Sequence, residues 1–316
     1  MHQSHDKLFK AGFSDPATAA GFLRTQLSPL LSEAIDWSSL SLQPGSFIDS
    51  QFRHSESDLL FTASLAGSEA ALYLLFEHQS AEDPRLALRL LRYMVRIWEK
   101  RLAQFPGDPL PVILPIVLAQ NARVWGLRPD FASLLNLPDG MAAALRPFVP
   151  DFAFRLIQLA ELPFEAIAGT PAGILVLRVL KAERSAQLLA GPVWDESLLG
   201  QAPRALFGLL LRYILAADID KVAFENKLQS IQDADTRGQA MTLAQQYHQE
   251  GRQEGHEEGR QEGRKDAILA NLLIRLGPVP EGLAEAVREV RETARLEALQ
   301  RASLTCATFE EFSAAL

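Results

Sequence analysis

The sequence predicts a domain of mixed helices and strands, an α/β or α+β sandwich, followed by a helical appendix. Short apolar runs at 59–65, 71–76 and 112–118 are typical of buried strands, and apolar residues at helical spacing over 85–104 indicate an amphipathic helix. Near residue 240 the composition changes to a repeat of glycine and glutamate. Because strands and helices alternate before that point, we expect these elements to share one layered core.

The same reasoning gives the remaining elements in chain order. Residues 1–40 carry apolar side chains near helical spacing, interrupted at Pro29 and at 36–39, and Gly67-Ser68 is a turn signal between the first two strands. Further predicted elements are a strand within 150–156, helices at 171–190 and 203–230, and two or three short helices over 266–316. The predicted domains are a main domain at 1–230, a Gly/Glu-repeat helix or linker at 231–265, and a small helical C-terminal segment at 266–316.

Composition limits the classes of function. Of the 316 residues 48% are hydrophobic, which excludes wholesale disorder, and the single cysteine, Cys306, excludes a disulfide framework and a cysteine-based zinc site. The amino terminus has no signal-peptide core, and the longest apolar run, 110–119, is about half a membrane span, so we expect a soluble cytoplasmic protein. The net charge of −8 argues against binding nucleic acid by overall charge but allows a local basic face.

Two acidic residues and an amide are predicted to meet at one end of the first hairpin. If Gly67 and Ser68 form a two-residue loop, paired residue numbers sum to 135, and Asp58 lies directly opposite Glu77. Strand alternation places Gln79 on the same face as Glu77. Two carboxylates this close repel each other unless a cation lies between them, which indicates a Mg²⁺ site. A one-residue slip of the turn would remove this opposition, and solvated acids at strand ends are the alternative interpretation.

Four sequence blocks carry a resemblance to a known family. They read HDKLFK at 5–10, SDLLF at 57–61, YLLFEHQS at 73–80 and RLLRYM at 89–94. In this order they resemble the Rpn family of recombination-promoting nucleases, also known as YhgA-like putative transposases, in the PD-(D/E)XK nuclease superfamily. The resemblance covers about residues 3–230.

The resemblance implies a restriction-endonuclease-like α/β/α core with a mixed central sheet, and metal-dependent cleavage of DNA. By position Asp58 is similar to the first aspartate of the family motif and Glu77 to its (D/E)XK acid, while Gln79 stands where the wider superfamily usually has lysine. A glutamine can orient water or phosphate by hydrogen bonding but supplies no positive charge. The sequence departs from the family pattern at 119–125, where a Tyr-His-Gly-like turn is usual, and at Gln158, near the place of a usual aspartate.

Five basic residues follow the acidic motif at intervals of four, three, four and four residues. This spacing places them on one face of the predicted helix. They are Arg85, Arg89, Arg92, Arg96 and Lys100. Arg89 and Arg92 are the predicted contacts to substrate phosphates, and a solvated helix face is the alternative.

Glycine recurs every four residues at 251, 255, 259 and 263, each time after a glutamate. Each glycine costs a helix about 1 kcal/mol relative to alanine. One interpretation is a self-associating helix over 240–265 whose glycines let a second helix approach closely. The other is a flexible charged tether. We favour the helix, which predicts a homo-oligomer.

Together these features predict a Mg²⁺-dependent DNA endonuclease, with Mn²⁺ as a substitute metal, linked to DNA recombination or mobile elements. Asp58 and Glu77 would hold the metal, and Gln79 would position water or phosphate. The alternative is a non-catalytic DNA-binding or oligomerising protein on a nuclease-like fold. The missing lysine and the pI of about 5.4 favour that alternative.

Overall fold

The chain folds into a mixed α/β architecture with a helical C-terminal region, as the sequence predicts. A computed structural model describes the backbone of residues 2–44, 59–77, 82–138 and 140–316, and their side chains except those of 2–4, 69–77 and 254. It divides into two compact units, Met1–Met241 and Thr242–Leu316. None of the helices within these ranges is both long and apolar enough to cross a membrane.

The first unit contains a mixed sheet, which has five strands among the described residues. Its strands are β1 (Ile35–Leu42), β2 (Leu59–Leu65), β3 (Ser68–Glu77), β4 (Val112–Ala119) and β5 (Arg155–Gln158). They lie side by side in chain order. β1, β2 and β3 pair antiparallel, whereas β3, β4 and β5 run parallel. The continuous apolar runs of β2, β3 and β4 are what burial on both faces of a sheet requires.

The turn between β2 and β3 lies one residue earlier than predicted. Leu65 pairs with Ser68, so the two loop residues are Ala66 and Gly67, with φ of 49° and 85°. Positive φ at both positions is the geometry of a type I′ turn, which suits the twist of a hairpin. Alanine rarely adopts positive φ, and for that reason the sequence favoured a loop that began at Gly67. The predicted register, with partner numbers summing to 135, is therefore wrong.

Strand β1 occupies a stretch that the sequence assigned to an interrupted helical region. Its pairing with β2 shifts between Asp36 and Ser41, which marks an irregular edge strand. The Ser39 hydroxyl accepts a hydrogen bond from the Ser64 amide (2.8 Å) at this irregularity. Asp36 accepts hydrogen bonds from the Ser38 amide and hydroxyl, and these bonds lower the pKa of its carboxyl group. Because β1 contains polar residues that are typical of turns, its sequence lacks the alternation of apolar and polar residues by which a strand is predicted.

The helices of the first unit largely follow the predicted segments. They are α1 (His2–Phe13), α2 (Pro16–Gln26), α3 (Pro29–Ala34), α4 (Leu86–Gln104), α5 (Ala142–Leu145), α6 (Pro171–Arg184), α7 (Glu196–Leu199), α8 (Arg204–Leu215) and α9 (Lys221–Gln229). The single helix predicted at 203–230 is two helices, because the Asp220 carboxylate caps α9 by accepting the Ala223 amide (2.7 Å).

The predicted strand at 150–156 begins later than expected. Backbone groups of Phe152 and Phe154 bond to Phe131 and Pro129, in a loop outside the main ladder. Only Arg155–Gln158 pairs with β4. Local periodicity cannot distinguish a strand that joins the sheet from an extended segment that bonds to a loop.

In the first unit, helices pack against the sheet and against one another. The buried side of α4, with Leu90, Tyr93 and Ile97, shares one apolar cluster with Val117 and Ala119 of β4. Helix α1 packs against α6 and α8. This contact is close: a Cβ added at Gly12 would lie 2.8 Å from Cγ2 of the buried Val176.

The second unit is helical and has its own core. After the long helix α10 (Ala234–Leu276) come α11 (Glu281–Glu289), α12 (Thr293–Thr305) and α13 (Phe309–Ala314). Ile268, Leu272, Leu296 and Phe312 are fully buried in one cluster, which also contains Cys306. Residues 250–265 are helical throughout, as in the favoured interpretation of the glycine repeat.

Candidate active site

The three parallel strands end at the same edge of the sheet. Glu77, the last residue of β3, pairs with Ala119 at the end of β4, and Ala119 pairs with Gln158 at the end of β5. In α/β sheets, ligands bind beyond the carboxyl ends of parallel strands, because loops and helix ends converge there. This edge is therefore the candidate site, and it contains one of the two predicted acids.

The other two predicted catalytic residues lie outside the described residues. Asp58 directly precedes β2, and Gln79 follows β3 by two positions. The observed ladder pairs Leu59 with Leu74, so the direct opposition of Asp58 and Glu77 that was inferred from the turn loses its basis. Asp58 and Gln79 remain predicted site residues. Glu77 is placed by its backbone at the carboxyl edge.

Two amides and a loop backbone form a buried hydrogen-bonded cluster at this edge. The Gln158 carbonyl oxygen accepts bonds from the Asn121 amide (2.8 Å) and from the Trp125 backbone amide (2.6 Å). The Asn121 side chain also donates to the Arg123 carbonyl and accepts from the Ala160 amide. These contacts join the loop after β4 to the end of β5. The two places where the sequence departs from the family pattern, near 120 and at 158, thus bond to each other in the structure.

A second buried cluster lies beside the first and connects to α1. Gln120 is fully buried, and its amide nitrogen lies within hydrogen-bond distance of three acceptors: the Leu180 carbonyl (2.9 Å), the Glu183 carboxylate (3.2 Å) and the Tyr213 hydroxyl (3.4 Å). The Tyr213 hydroxyl lies 2.6 Å from Nδ1 of the buried His5. Burial raises the pKa of Tyr213, so this hydroxyl stays protonated and can donate to the imidazole.

This arrangement gives His5 a hydrogen-bonding partner within the core. Sequence reasoning missed Tyr213 as the partner of His5, and Gln120 as the amide that bonds to Tyr213. A signal was present, because the apolar run of β4 ends abruptly in the polar pair Gln120-Asn121. Polar residues directly after a buried strand often line an edge of this kind.

The predicted basic stripe lies on α4, which is separated from β3 by eight residues. Arg92 and Arg96 are exposed, and Arg85 lies at the amino-terminal boundary of the helix. Arg89 is partly buried and pairs with Asp83 (3.3 Å), whose carboxylate also accepts the Arg85 backbone amide (2.8 Å). Of the two predicted phosphate contacts, Arg92 therefore faces solvent and Arg89 is held beside an acid.

The described residues contain no preformed cluster of metal ligands. Among them there is no group of three or more histidine, cysteine, aspartate or glutamate side chains able to hold a metal ion. The only cysteine, Cys306, is buried in the second unit. A metal at the edge would therefore depend on the motif acids Asp58 and Glu77, whose oxygen chemistry suits Mg²⁺ and Mn²⁺.

The fold and its edge define a class: an α/β protein whose candidate site lies at the carboxyl ends of parallel strands. Comparison with known proteins gives the family. The chain belongs to the YhgA-like putative transposase family, whose model matches residues 3–193. No solved structure matches the chain.

Several relatives are named after nucleases. The recombination-promoting nuclease RpnD of Escherichia coli O157:H7 is 34% identical over 119 residues, which are 38% of this chain and 46% of RpnD. RpnA of E. coli K12, also named a recombination-promoting nuclease, is 28% identical over 251 residues, 78% of this chain and 84% of RpnA. YjiP of E. coli K12, 38% identical over 93 residues, 29% of this chain and 90% of YjiP, is named a putative inactive nuclease-like protein. The chain thus matches less than half the length of RpnD, and its relatives include proteins named nucleases and one named inactive.

Proposed function

We propose that this protein is a divalent-metal-dependent endonuclease that hydrolyses phosphodiester bonds in DNA. The observation that carries the proposal is the position of Glu77, the motif acid, at the shared carboxyl edge of three parallel strands. Relatives named recombination-promoting nucleases support the reaction class. A link to DNA recombination is part of the proposal and follows those names.

The motif carboxylates are the proposed metal ligands. Asp58 and Glu77 would hold Mg²⁺ or Mn²⁺ through oxygen atoms, the donor type that these ions prefer. When bound, the ion would lower the pKa of a water ligand and offset the charge that develops on the phosphate. Gln79 would orient water or a phosphate oxygen by hydrogen bonding, without the charge that a lysine brings.

The surrounding residues have distinct supporting roles in this proposal. The amide cluster of Asn121 and Gln158 fixes the loop after β4 against β5, so the edge keeps its shape when DNA binds. Arg92, exposed on α4, would contact the DNA backbone. Arg89 is paired with Asp83, which offsets its charge, so it would contact a phosphate only by exchanging that partner. Contacts to phosphates alone would give weak sequence specificity.

A second candidate function is a non-catalytic DNA-binding protein on the same fold. It is favoured by Gln79 at the position of the usual lysine and by YjiP, a relative named inactive. The two candidates differ in one respect that can be measured. An enzyme loses turnover when a metal ligand is changed, whereas a binding protein has no turnover to lose.

The test is nicking of supercoiled plasmid by the purified chain with Mg²⁺, Mn²⁺ or Ca²⁺. We expect nicking with Mg²⁺ and Mn²⁺, and a rate lower by more than roughly a hundredfold in Asp58→Asn and Glu77→Gln, because each change removes a metal ligand. Glu225→Gln, which removes an exposed carboxylate on α9, is the matched control and keeps the wild-type rate. Circular dichroism establishes that each variant is folded.

Each contrary outcome has a definite meaning. Nicking that persists in both motif variants would reject the proposed site. The absence of nicking with every metal, together with retained binding of a DNA duplex, would reject the enzyme and support the binding protein.

A further inference from the structure

A cavity of about 510 Å³ lies in the first unit, between the connection from α2 to α3 and the strands β4 and β5. The ladder between these strands begins only at Ile116 and Arg155, because the amide of Phe154 bonds to the Pro129 carbonyl instead. The cavity lies where this ladder begins, at the opposite ends of the strands from the candidate active site. Its volume is within the range of about 300–1,000 Å³ that is typical of small-molecule sites.

The floor of this cavity is apolar and lies on the face of the sheet away from α4. Successive strand residues point to opposite faces, so Leu114 and Ile116 share one face of β4, and Val117, which packs in the cluster with α4, lies on the other. Arg155 pairs with Ile116, so its side chain stands on the same face as these two apolar residues. Leu31 of α3 adds apolar surface from the helical side.

A nearly buried amide in the wall of the cavity has an acceptor without a donor. Gln26 is only 8% exposed, and its amide nitrogen donates to the Thr25 hydroxyl (3.0 Å). Its amide oxygen accepts no hydrogen bond from the residues that the structure describes. An acceptor that is buried without a donor destabilises the fold, because it has lost its water. Since Gln26 lines the cavity, a ligand with an N–H or O–H group can supply the missing bond.

A cation stands at the rim of the cavity. Arg155 is exposed, and its guanidinium group forms neither an ion pair nor a hydrogen bond with the described parts of the chain. By contrast, Arg128 and Arg146 in the preceding segment pair with aspartates at 3.2 Å and 2.6 Å. The planar guanidinium group matches the geometry of a carboxylate, to which it can donate two parallel hydrogen bonds.

We propose that this cavity binds a small organic anion that combines an apolar ring, a carboxylate and one hydrogen-bond donor. The ring covers Leu114 and Ile116, the carboxylate pairs with Arg155, and the donor bonds to the amide oxygen of Gln26. The site is separate from the proposed active site and uses none of its residues, so it does not depend on the nuclease proposal.

The test is isothermal titration calorimetry of the full chain with indole-3-acetate, a probe that carries all three groups. We expect a single site, and about a tenfold or greater weakening in Arg155→Gln, because the carboxylate loses its charged partner. Arg204→Gln removes the same charge from an exposed position on α8 and is expected to leave the affinity unchanged.

Two altered probes test the chemical class of the ligand without changing the protein. Indole-3-acetamide keeps the ring and the N–H but has no charge, so we expect it to bind about tenfold more weakly and to be insensitive to Arg155→Gln. Benzofuran-3-acetate has an oxygen in place of the N–H, so we expect severalfold weaker binding because the amide oxygen of Gln26 stays unpaired.

A further variant tests the position of the site. Ala153 lines the cavity and is exposed, so Ala153→Phe places a ring in the cavity without disturbing the core, and we expect binding to be lost. Ala205→Phe adds the same ring at an exposed position on α8 and is the control. Thermal melts establish that each variant is folded.

Three results would overturn the proposal. The first is no binding of indole-3-acetate at the highest soluble concentrations. The second is binding that persists unchanged in both Arg155→Gln and Ala153→Phe, since the site would then lie elsewhere. The third is equal affinity for indole-3-acetate and indole-3-acetamide, which would show that the site does not select an anion.

Discussion

Gln158 shows how a single buried side chain can hold the candidate edge together. Its side-chain oxygen, Oε1, accepts one hydrogen bond from the Asn121 side chain and one from the Trp125 backbone amide. The residue is almost wholly buried. A buried donor that loses its acceptor costs more than the bond itself contributes, because the donor has already lost its water. Gln158, which departs from the family pattern, therefore stabilises this edge by holding the loop after β4.

We expect Gln158→Leu to lower the free energy of unfolding by about 2 kcal/mol or more, because two donors lose their acceptor. Urea denaturation followed by circular dichroism measures this change. Gln245→Leu, the same substitution at an exposed position, is the control and is expected to have little effect. Equal stability of the two variants would show that the Gln158 bonds contribute nothing net.

Gly12 tests the contact between α1 and α6. Alanine at this position would place its Cβ 2.8 Å from Val176, a buried β-branched residue with few alternative rotamers. We expect Gly12→Ala to destabilise the protein by about 1–3 kcal/mol, although alanine is the better helix former. Gly238→Ala in α10, where no described atom lies near the added Cβ, is expected to stabilise by up to about 1 kcal/mol. The opposite ranking in thermal melts would contradict the close contact.

At the scale of elements, the basic face of α4 is the proposed contact surface for DNA. Its buried side fixes the helix on the sheet, and the opposite side presents Arg92 and Arg96 to solvent. Phosphate contacts release counterions, so each one contributes to the salt dependence of binding.

We expect Arg92→Ala to weaken DNA binding with little dependence on sequence and to reduce the slope of log K against log salt by about one. Fluorescence anisotropy with two unrelated duplexes over a salt series measures both effects. Arg204→Ala removes the same charge from an exposed position on α8 and is the control. Equal slopes for Arg92→Ala and the wild type would exclude this contact.

Sequence reasoning was most successful for elements with strong apolar patterns. The strands β2 and β4 are continuous apolar runs, and α4 has apolar residues at helical spacing. The apolar pattern alone therefore predicts all three. It failed at the turn of the hairpin, where Ala66 adopts positive φ, and at β1, whose polar residues lie on an irregular edge. In both places long-range pairing overrides local preference. The candidate edge shares this limit, because Tyr213 meets Gln120 only through tertiary packing.

For the whole molecule, carboxylates at helix ends connect stability to pH. Glu196 of α7 accepts hydrogen bonds from the backbone amides of Gln232 and Asp233, just before α10, and these bonds lower its pKa. The pKa of Asp233 is also lowered, chiefly by hydrogen bonds from Thr236. Lowered pKa values in the folded state mean that this stabilisation is present above the unfolded values and is lost as pH falls through the folded ones.

We therefore expect Glu196→Gln to lower the melting temperature by a few degrees at pH 7, and this difference to shrink as the pH falls below about 4.5, the ordinary value for glutamate. Glu225→Gln, at an exposed position on α9, is the control and is expected to change the melting temperature little. A difference between Glu196→Gln and the wild type that is the same at pH 7 and pH 3.5 would contradict the role of the ionised carboxylate.

The central claim is that a divalent metal binds at the carboxyl edge of the sheet, beside Glu77. The most direct measurement replaces the metal with Fe²⁺ in the presence of a DNA duplex, adds ascorbate and peroxide, and maps where the polypeptide is cut by mass spectrometry. We predict cuts close to residues 58 and 77 and in the adjoining loop at 119–121, all suppressed by excess Mg²⁺ and by Glu77→Gln. Cuts confined to other parts of the chain, or cuts near 77 that persist in Glu77→Gln, would contradict the proposed site.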